Sequence, residues 1–146
     1  LLLLWIGSFD RSLIQRFKRT QKYTEADYDL LVSLVERVRL LVTTPNVLTE
    51  VSNLAGQLPE QMAEEFRVEM QMVVQQIKEQ HFPCKLAAAE NCFISLGLTD
   101  STLTMLARDK ILVLTDDLPL YARLHSEKMP VINFTHVRSM AYGWEA

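Results

Sequence analysis

The chain has 146 residues, 49% of them hydrophobic, which is enough to bury one sizeable core, so we expect a single domain spanning residues 1–146. Its net charge of -3 gives no general positive field of the kind that attracts nucleic acids.

Two cysteines and three histidines match no zinc or disulfide spacing. We expect both cysteines to be small buried groups in a reducing cytoplasm. The apolar run Leu1–Ile6 is far shorter than the roughly 20 residues of a membrane-spanning helix, so we expect it to be core rather than a membrane segment.

The first segments of the chain have helical patterns joined by a basic stretch. Arg11–Lys22 is polar and basic with three apolar anchors, and is predicted to be a connection or a short helix on the surface. Thr24 and Asp27 have the spacing of a capping box, and apolar residues follow at helical intervals. Together they predict a helix over Glu25–Arg37.

Further along, short apolar runs alternate with helical patterns. Thr44 and Pro45 combine a capping hydroxyl with a proline at the first helical position, which predicts a helix start. The predicted strands are Arg39–Thr43, Ile111–Leu114 and Val131–Phe134. The predicted helices are Pro45–Leu54, Pro59–Gln80, Leu86–Ser95, Thr99–Arg108 and Asp117–Glu127. This alternation predicts an α/β fold, a three-layer sandwich with a central, mostly parallel sheet flanked by helices.

Acidic residues stand beside apolar segments, some of them just after strands, where ligands bind in such sheets. Glu50 lies among apolar helix neighbours, Asp100 begins a predicted helix, and Asp116 and Asp117 follow a predicted strand. Crowded carboxylates repel one another unless a cation neutralises them, and Mg²⁺ and Mn²⁺ prefer oxygen ligands. Such a metal activates water and stabilises charge on phosphorus. The set therefore predicts a metal-dependent phosphodiesterase.

Each of these acids also has a structural explanation. Asp100 and Asp117 fit helix N-termini, where a carboxylate caps backbone N–H groups and favours the helix dipole. Glu50 also fits a solvent-facing position, and Asp116 fits the turn or capping acid of its pair. Only the combination of the acids favours a metal site over these alternatives.

Three segments of the chain resemble motifs of the PIN-domain family. TPNVLTEVSNL, residues 44–54, resembles the second acidic motif, in which a helix carries a glutamate. LGLTDSTLTMLA, residues 96–107, resembles the third motif, and VLTDDLPL, residues 113–120, resembles the fourth, a T-x-D after a strand. The resemblance covers nearly the whole chain in order and spacing.

This resemblance implies a metal-dependent endoribonuclease that uses Mg²⁺ or Mn²⁺. It implies that Glu50, Asp100 and Asp117 are catalytic metal ligands, with Asp116 beside them and Thr115 at the site. Leu1–Trp5 resembles the start of the apolar helix that follows the family's first strand and first catalytic aspartate. Residues before Leu1 are expected to supply that strand and that aspartate.

The resemblance also bears on partners. Many family members of this size are toxins of toxin–antitoxin pairs, so an antitoxin protein is an expected partner, besides RNA. The helix Pro59–Gln80 offers Met and Gln side chains for a homodimer face, with core packing as the alternative. A catalytically inactive RNA-binding module is the competing function. A phosphate-receiving regulatory domain is disfavoured because no lysine follows a late strand.

A dense basic cluster is expected to guide the RNA backbone towards the acids. It lies in residues 11–22, and a solvated surface loop is the alternative for this segment. Its candidate RNA-binding side chains are Arg11, Arg16, Lys18 and Arg19, and Thr115 at the site is a further RNA-binding candidate.

Overall fold

The computed structural model describes residues 1–143. The chain divides into two compact units, Leu1–Glu79 and a second that begins at Gln80. Each unit combines helices with one pair of short parallel strands, so the α/β class is confirmed. The predicted single central sheet is not seen as such, because each described sheet has two strands. No helix within the described residues is long and apolar enough to cross a membrane.

The first unit contains five helices and two strands among its described elements. Strands β1 and β2 are parallel, and Val42 pairs with Lys78 and Thr43 with Glu79. The elements are α1 (Leu2–Phe9), α2 (Leu13–Arg16), α3 (Glu25–Val35), β1 (Val42–Thr43), α4 (Pro45–Ala55), α5 (Glu60–Val74) and β2 (Lys78–Glu79).

The second unit has four helices and two strands within residues 80–143. Strands β3 and β4 are parallel, and Thr115 pairs with Asn133. The elements are α6 (Cys84–Ala87), α7 (Phe93–Arg108), β3 (Val113–Thr115), α8 (Leu118–Ser126), β4 (Val131–Asn133) and α9 (Phe134–Tyr142).

Local capping signals set the starts of α3 and α4 as predicted. The Thr24 hydroxyl accepts from the Asp27 N–H (3.2 Å), and the Asp27 carboxylate accepts from the Thr24 N–H (2.7 Å), which completes the capping box. The Thr44 hydroxyl accepts from the Val47 N–H (3.4 Å), and Pro45 occupies the first turn of α4. These starts need only neighbouring residues, which is why the sequence predicts them.

The core of the first unit forms where α1 packs against α3 and α5. Phe66, which is 1% exposed, receives the edges of two aromatic rings from α1. Its ring centroid lies 6.2 Å from that of Trp5 and 6.3 Å from that of Phe9, and both pairs are T-shaped. The apolar start of the chain is therefore core, as predicted.

The core of the second unit joins α7, β3 and α8. Its buried centre consists of Ala107, Val113, Leu120 and Leu124. Leu103 and other half-buried apolar side chains pack against that centre. This packing holds the carboxyl end of β3 beside the start of α8.

Two predicted helices were wrong in extent. The helix predicted over Pro59–Gln80 ends at Val74. Residues Lys78–Glu79 pair with β1 instead of continuing the helix. The Lys78 N–H, for example, donates to the Leu41 carbonyl (3.1 Å). The helix predicted over Leu86–Ser95 is replaced by the short α6 and the start of α7.

The glycine expected to close that helix lies inside α7. Gly97 has φ 85° and ψ -174°, a conformation that is essentially restricted to glycine. It separates the two helical stretches that make up α7, so the stretch that leads up to it closes there, as expected. The helical pattern predicted over Thr99–Arg108 is the part of α7 that follows Gly97.

Other details also differ from the prediction. The predicted strand Arg39–Thr43 begins only at Val42, and Ile111–Leu114 is shifted to Val113–Thr115. Phe134 starts α9 rather than ending a strand, because the side chain of Asn133 accepts from the backbone of α9. Cys92 is buried as expected, whereas Cys84 is exposed.

An ion pair in the second unit is expected to make stability depend on pH. Two guanidinium nitrogens of Arg108 lie 2.7 Å from the two Glu90 oxygens, and this bond holds the pKa of Glu90 below its ordinary range. The stabilisation is therefore complete above the ordinary glutamate pKa of about 4.3, and it is lost as pH falls through the lower folded-state pKa. Glu90→Gln should lower the free energy of unfolding by about 1 kcal/mol at pH 7, since Arg108 is half-exposed and screened.

Urea unfolding from pH 7 down to pH 3 measures this effect. Glu127→Gln is the matched control, because Glu127 pairs with Arg123 one turn away on the same helical stretch (2.5 Å), and such pairs contribute only about 0.3–0.5 kcal/mol. A loss in Glu90→Gln that stays constant down to pH 3 would contradict the assigned pH dependence.

Candidate functional site

The carboxyl ends of β3 and β4 meet at one edge of the second unit's sheet. Because Thr115 pairs with Asn133 in parallel register, the residues that follow both strands lie together. The half-buried Asp116 accepts a hydrogen bond from the hydroxyl of Thr135, in the first turn of α9. The structure thus brings Thr115, Asp116 and Asp117 together with Thr135. The position of Thr135 just after a strand was the signal that could have added it to the predicted site.

Asp117 is the capping acid of the pair, which is the structural alternative given for it from the sequence, whereas Asp116 does not cap α8. Its carboxylate accepts from the Leu120 N–H (2.7 Å), and its own N–H donates to the Thr115 hydroxyl (3.0 Å). Asp117 can cap α8 because it has the extended dihedral angles of an N-cap residue and directly precedes the first residue of the helix. Asp117 is exposed, so its side chain still faces solvent at the sheet edge.

Asp100 is half-buried and lies just after the kink at Gly97 in α7. Its backbone carbonyl accepts from the Thr104 hydroxyl (2.8 Å). Because α7 packs against both β3 and α8, the helix that carries Asp100 contacts the strand and the helix that flank Asp116 and Asp117.

Buried hydroxyls on α7 are a feature that the sequence prediction missed. Ser101, Thr102 and Thr104 are each at most 1% exposed. The Ser101 hydroxyl donates to the Gly97 carbonyl (2.8 Å), and the Thr102 hydroxyl donates to the Thr99 carbonyl (2.7 Å). These hydroxyls bond within their own helix, so their burial is explained without a ligand.

Glu50 does not have the environment predicted for it. It is exposed on α4, whereas Leu48, Val51 and Ala55 form the buried face of that helix. Buried positions at 48, 51 and 55 follow the helical repeat, and residue 50 falls outside that face. Glu50 belongs to the first unit, and the three aspartates belong to the second.

Oxygen atoms make up the donor set at the strand ends of the second unit. Carboxylate and hydroxyl oxygens are what Mg²⁺ and Mn²⁺ prefer, so the chemistry of these residues fits such a cation. Within residues 1–143, no group of three or more His, Cys, Asp or Glu side chains is spaced to hold one metal ion. A site that combines Glu50, Asp100 and Asp117 stays a prediction.

The predicted basic cluster is partly engaged within the first unit. Arg11 pairs with Asp29 (2.7 Å) and lies over the Tyr28 ring, 5.0 Å from its centroid. The hydrogen bond to Asp29 is the main cause that raises the pKa of Arg11. Arg19 Nε donates to the Gln57 side chain (3.0 Å). Two of the four basic side chains predicted to contact RNA therefore already have partners in the protein.

The other two members of the cluster are also on the surface. Arg16 ends the short helix α2, and Lys18 follows Phe17, whose buried side chain anchors the segment. Both basic side chains are exposed. Their place fits a phosphate contact as well as a solvated surface, so RNA binding by this segment stays a prediction.

A groove of about 290 Å³ lies between α4 and α5 of the first unit. Elsewhere on α5, Val68 and Met72 are 60% and 57% exposed. The helix on which a dimer face was predicted therefore does expose apolar side chains. The groove is lined by Leu48, Thr49, Ser52, Asn53, Met70 and Val74.

Comparison with known proteins finds no matching family model, no matching curated protein and no matching solved structure. The PIN-domain resemblance therefore rests on the three sequence motifs alone.

Proposed function

We propose that this chain is a metal-dependent endoribonuclease of the PIN-domain type. The observation that carries the proposal is the sheet edge of the second unit, where Thr115, Asp116 and Asp117 meet Thr135. Oxygen-rich groups at the carboxyl ends of parallel strands are in the usual place for ligand binding in α/β folds. The proposed reaction is hydrolysis of an RNA phosphodiester bond.

In this proposal Asp116 and Asp117 would hold the cation at the strand ends, and Asp100 on α7 is the further ligand that the sequence motifs imply. When bound, Mg²⁺ or Mn²⁺ supplies Lewis acidity towards the attacking water and the phosphate oxygens. The hydrogen bond from Thr135 fixes the orientation of the Asp116 carboxylate. The capping hydrogen bond from the Leu120 N–H likewise fixes the orientation of the Asp117 carboxylate, through one of its oxygens. Both carboxylates are thus oriented before substrate arrives, which reduces the ordering cost of binding.

The finer architecture is part of the same proposal. The proposed architecture is a three-layer sandwich with a central, mostly parallel sheet flanked by helices. Parallel strand pairs that alternate with helices along the chain are the feature that favours it.

A catalytically inactive RNA-binding module is the second candidate. It is favoured by the hydrogen bonds that Asp116 and Asp117 make, because these bonds give both acids a structural role that needs no metal. An antitoxin partner and a homodimer belong to the first candidate and do not distinguish the two.

Cleavage of RNA in the presence of added metal is the expected result that tests this function. The native polypeptide would be freed of metal with a chelator and incubated with labelled single-stranded RNA of mixed sequence. We expect cleavage to appear on addition of Mn²⁺ or Mg²⁺ and to stop with excess chelator, because the carboxylates act through the cation. Gel analysis of the labelled fragments measures it. Binding of RNA without cleavage under any metal condition would favour the inactive module instead.

A further inference from the structure

Three aromatic rings form a cluster on the surface of the second unit. The rings of Tyr121 and His136 pack edge-on, with centroids 4.9 Å apart and an interplanar angle of 86°. The Tyr121 ring also lies 5.4 Å from the His125 ring, tilted by 33°. Both histidines are exposed and Tyr121 is half-buried. The cluster therefore presents aromatic surface to solvent.

Short stretches of chain connect this cluster to the strand-end acids. Tyr121 follows Asp117 by one helical turn, and its N–H donates to the Asp117 carbonyl (3.0 Å). His136 directly follows Thr135, whose hydroxyl bonds to Asp116. Tyr121 and His136 are thus within one turn of the residues that hold the carboxylates, and His125 lies one further turn along α8.

The chemistry of the two neighbouring surfaces is complementary for a single-stranded nucleic acid. Carboxylates repel the phosphate backbone, so without a metal, affinity near them must come from contacts to bases. Aromatic faces stack on unpaired bases of any identity, whereas the bases of a duplex are already stacked on one another. An exposed aromatic cluster beside an acidic site can supply this affinity by stacking on unpaired bases.

We propose that Tyr121, His125 and His136 form a base-stacking platform that binds an unpaired nucleotide of single-stranded RNA next to the acidic site. The proposal rests on the ribonuclease function proposed above, and it narrows the substrate class to unpaired RNA. His136 and Tyr121 also connect α9 to α8, so these two rings have a structural role as well. His125 lies on the same helix as Tyr121, one turn later, and joins no second helix to the cluster. Substitution of His125 therefore tests base stacking without removing the contact between α8 and α9.

Fluorescence titration with single-stranded RNA that contains 2-aminopurine tests the platform, because stacking on an aromatic ring quenches this base. The protein would carry Asp100→Asn, with Mg²⁺ present, so that the RNA is not cleaved during the titration. We expect quenching on binding, and roughly tenfold weaker binding with less quenching in His125→Ala and Tyr121→Leu. Tyr121→Phe keeps the ring and should bind as the parent does.

His81→Ala is the matched control, since His81 is an exposed histidine of the same unit outside the cluster. Equal thermal midpoints of His81→Ala and His125→Ala would show that weaker binding is not a folding defect. If both cluster variants bind and quench like the control while the native chain still cleaves RNA, the platform is overturned and the ribonuclease stands. If the native chain neither binds nor cleaves RNA, both proposals are overturned.

Discussion

Asp100→Asn should lower RNA cleavage by about 100-fold or more while the fold is retained. Loss of a group that only supports a metal ligand already costs about 10–100-fold, so loss of a direct carboxylate ligand should cost at least as much. Asparagine keeps the size of the side chain and removes its charge. The hydrogen bond from the Thr104 hydroxyl goes to the backbone carbonyl of Asp100 (2.8 Å), which the substitution leaves in place. Initial cleavage rates at saturating Mn²⁺ measure the effect.

The thermal midpoint of the same variant provides a second measurement. Without metal, Asp100→Asn should be as stable as the parent or more stable, because one of several like charges is removed. Added Mn²⁺ should raise the midpoint of the parent more than that of the variant, since a ligand that binds only the folded state stabilises it.

Asp109→Asn is the matched control, because Asp109 follows the last residue of α7 and is exposed. It should cleave RNA at the parent rate. A variant Asp100→Asn that unfolds at lower temperature, combined with a parent whose midpoint does not respond to metal, would show that Asp100 has a structural role instead.

The sequence predicted those parts of the fold that depend on neighbouring residues. The capping box of Thr24 and Asp27 and the start of α4 at Thr44 were confirmed, because each is made by atoms within one helical turn. The helix at the start of the chain was also confirmed.

Parts that depend on distant residues were predicted less well. Lys78 and Glu79 have the composition of a polar helix face, and only their pairing with Val42 and Thr43 makes them a strand. Nothing in the local pattern encodes that partner, so the helix was extended too far. Local propensity is commonly overridden in this way by tertiary pairing.

The candidate site shows the same division. That acids follow β3 was readable from the sequence, but the assignment of cap and turn to Asp117 and Asp116 depended on dihedral angles. The hydrogen bond from Thr135 depended on the register between β3 and β4. Glu50 was misplaced because two buried neighbours in the sequence do not bury the residue between them on a helix.

Gly7→Ala is expected to destabilise the first unit by about 2–3 kcal/mol, the upper part of the range for overpacking a core. Gly7 is buried in α1, and a Cβ atom there would lie 2.2 Å from Cδ2 and 2.5 Å from Cε2 of the Tyr28 ring. Tyr28 is on α3, which packs against α1, and its ring also supports the Arg11 guanidinium. Neither the ring nor α1 can move without loss of packing. Urea unfolding of the purified variant measures the change.

Gly56→Ala is the matched control for the loss of a glycine. Gly56 has φ -62° and ψ -9°, which alanine adopts readily, and its nearest Cβ contact would be an ordinary 3.4 Å from the Asn53 carbonyl. This variant should stay within about 1 kcal/mol of the parent. If the ring contact causes the loss in Gly7→Ala, then Gly7→Ala combined with Tyr28→Leu should be less destabilised than the sum of the two single changes, because the smaller side chain leaves room for the methyl group. Additive losses would show that Gly7 matters for another reason than its contact with Tyr28.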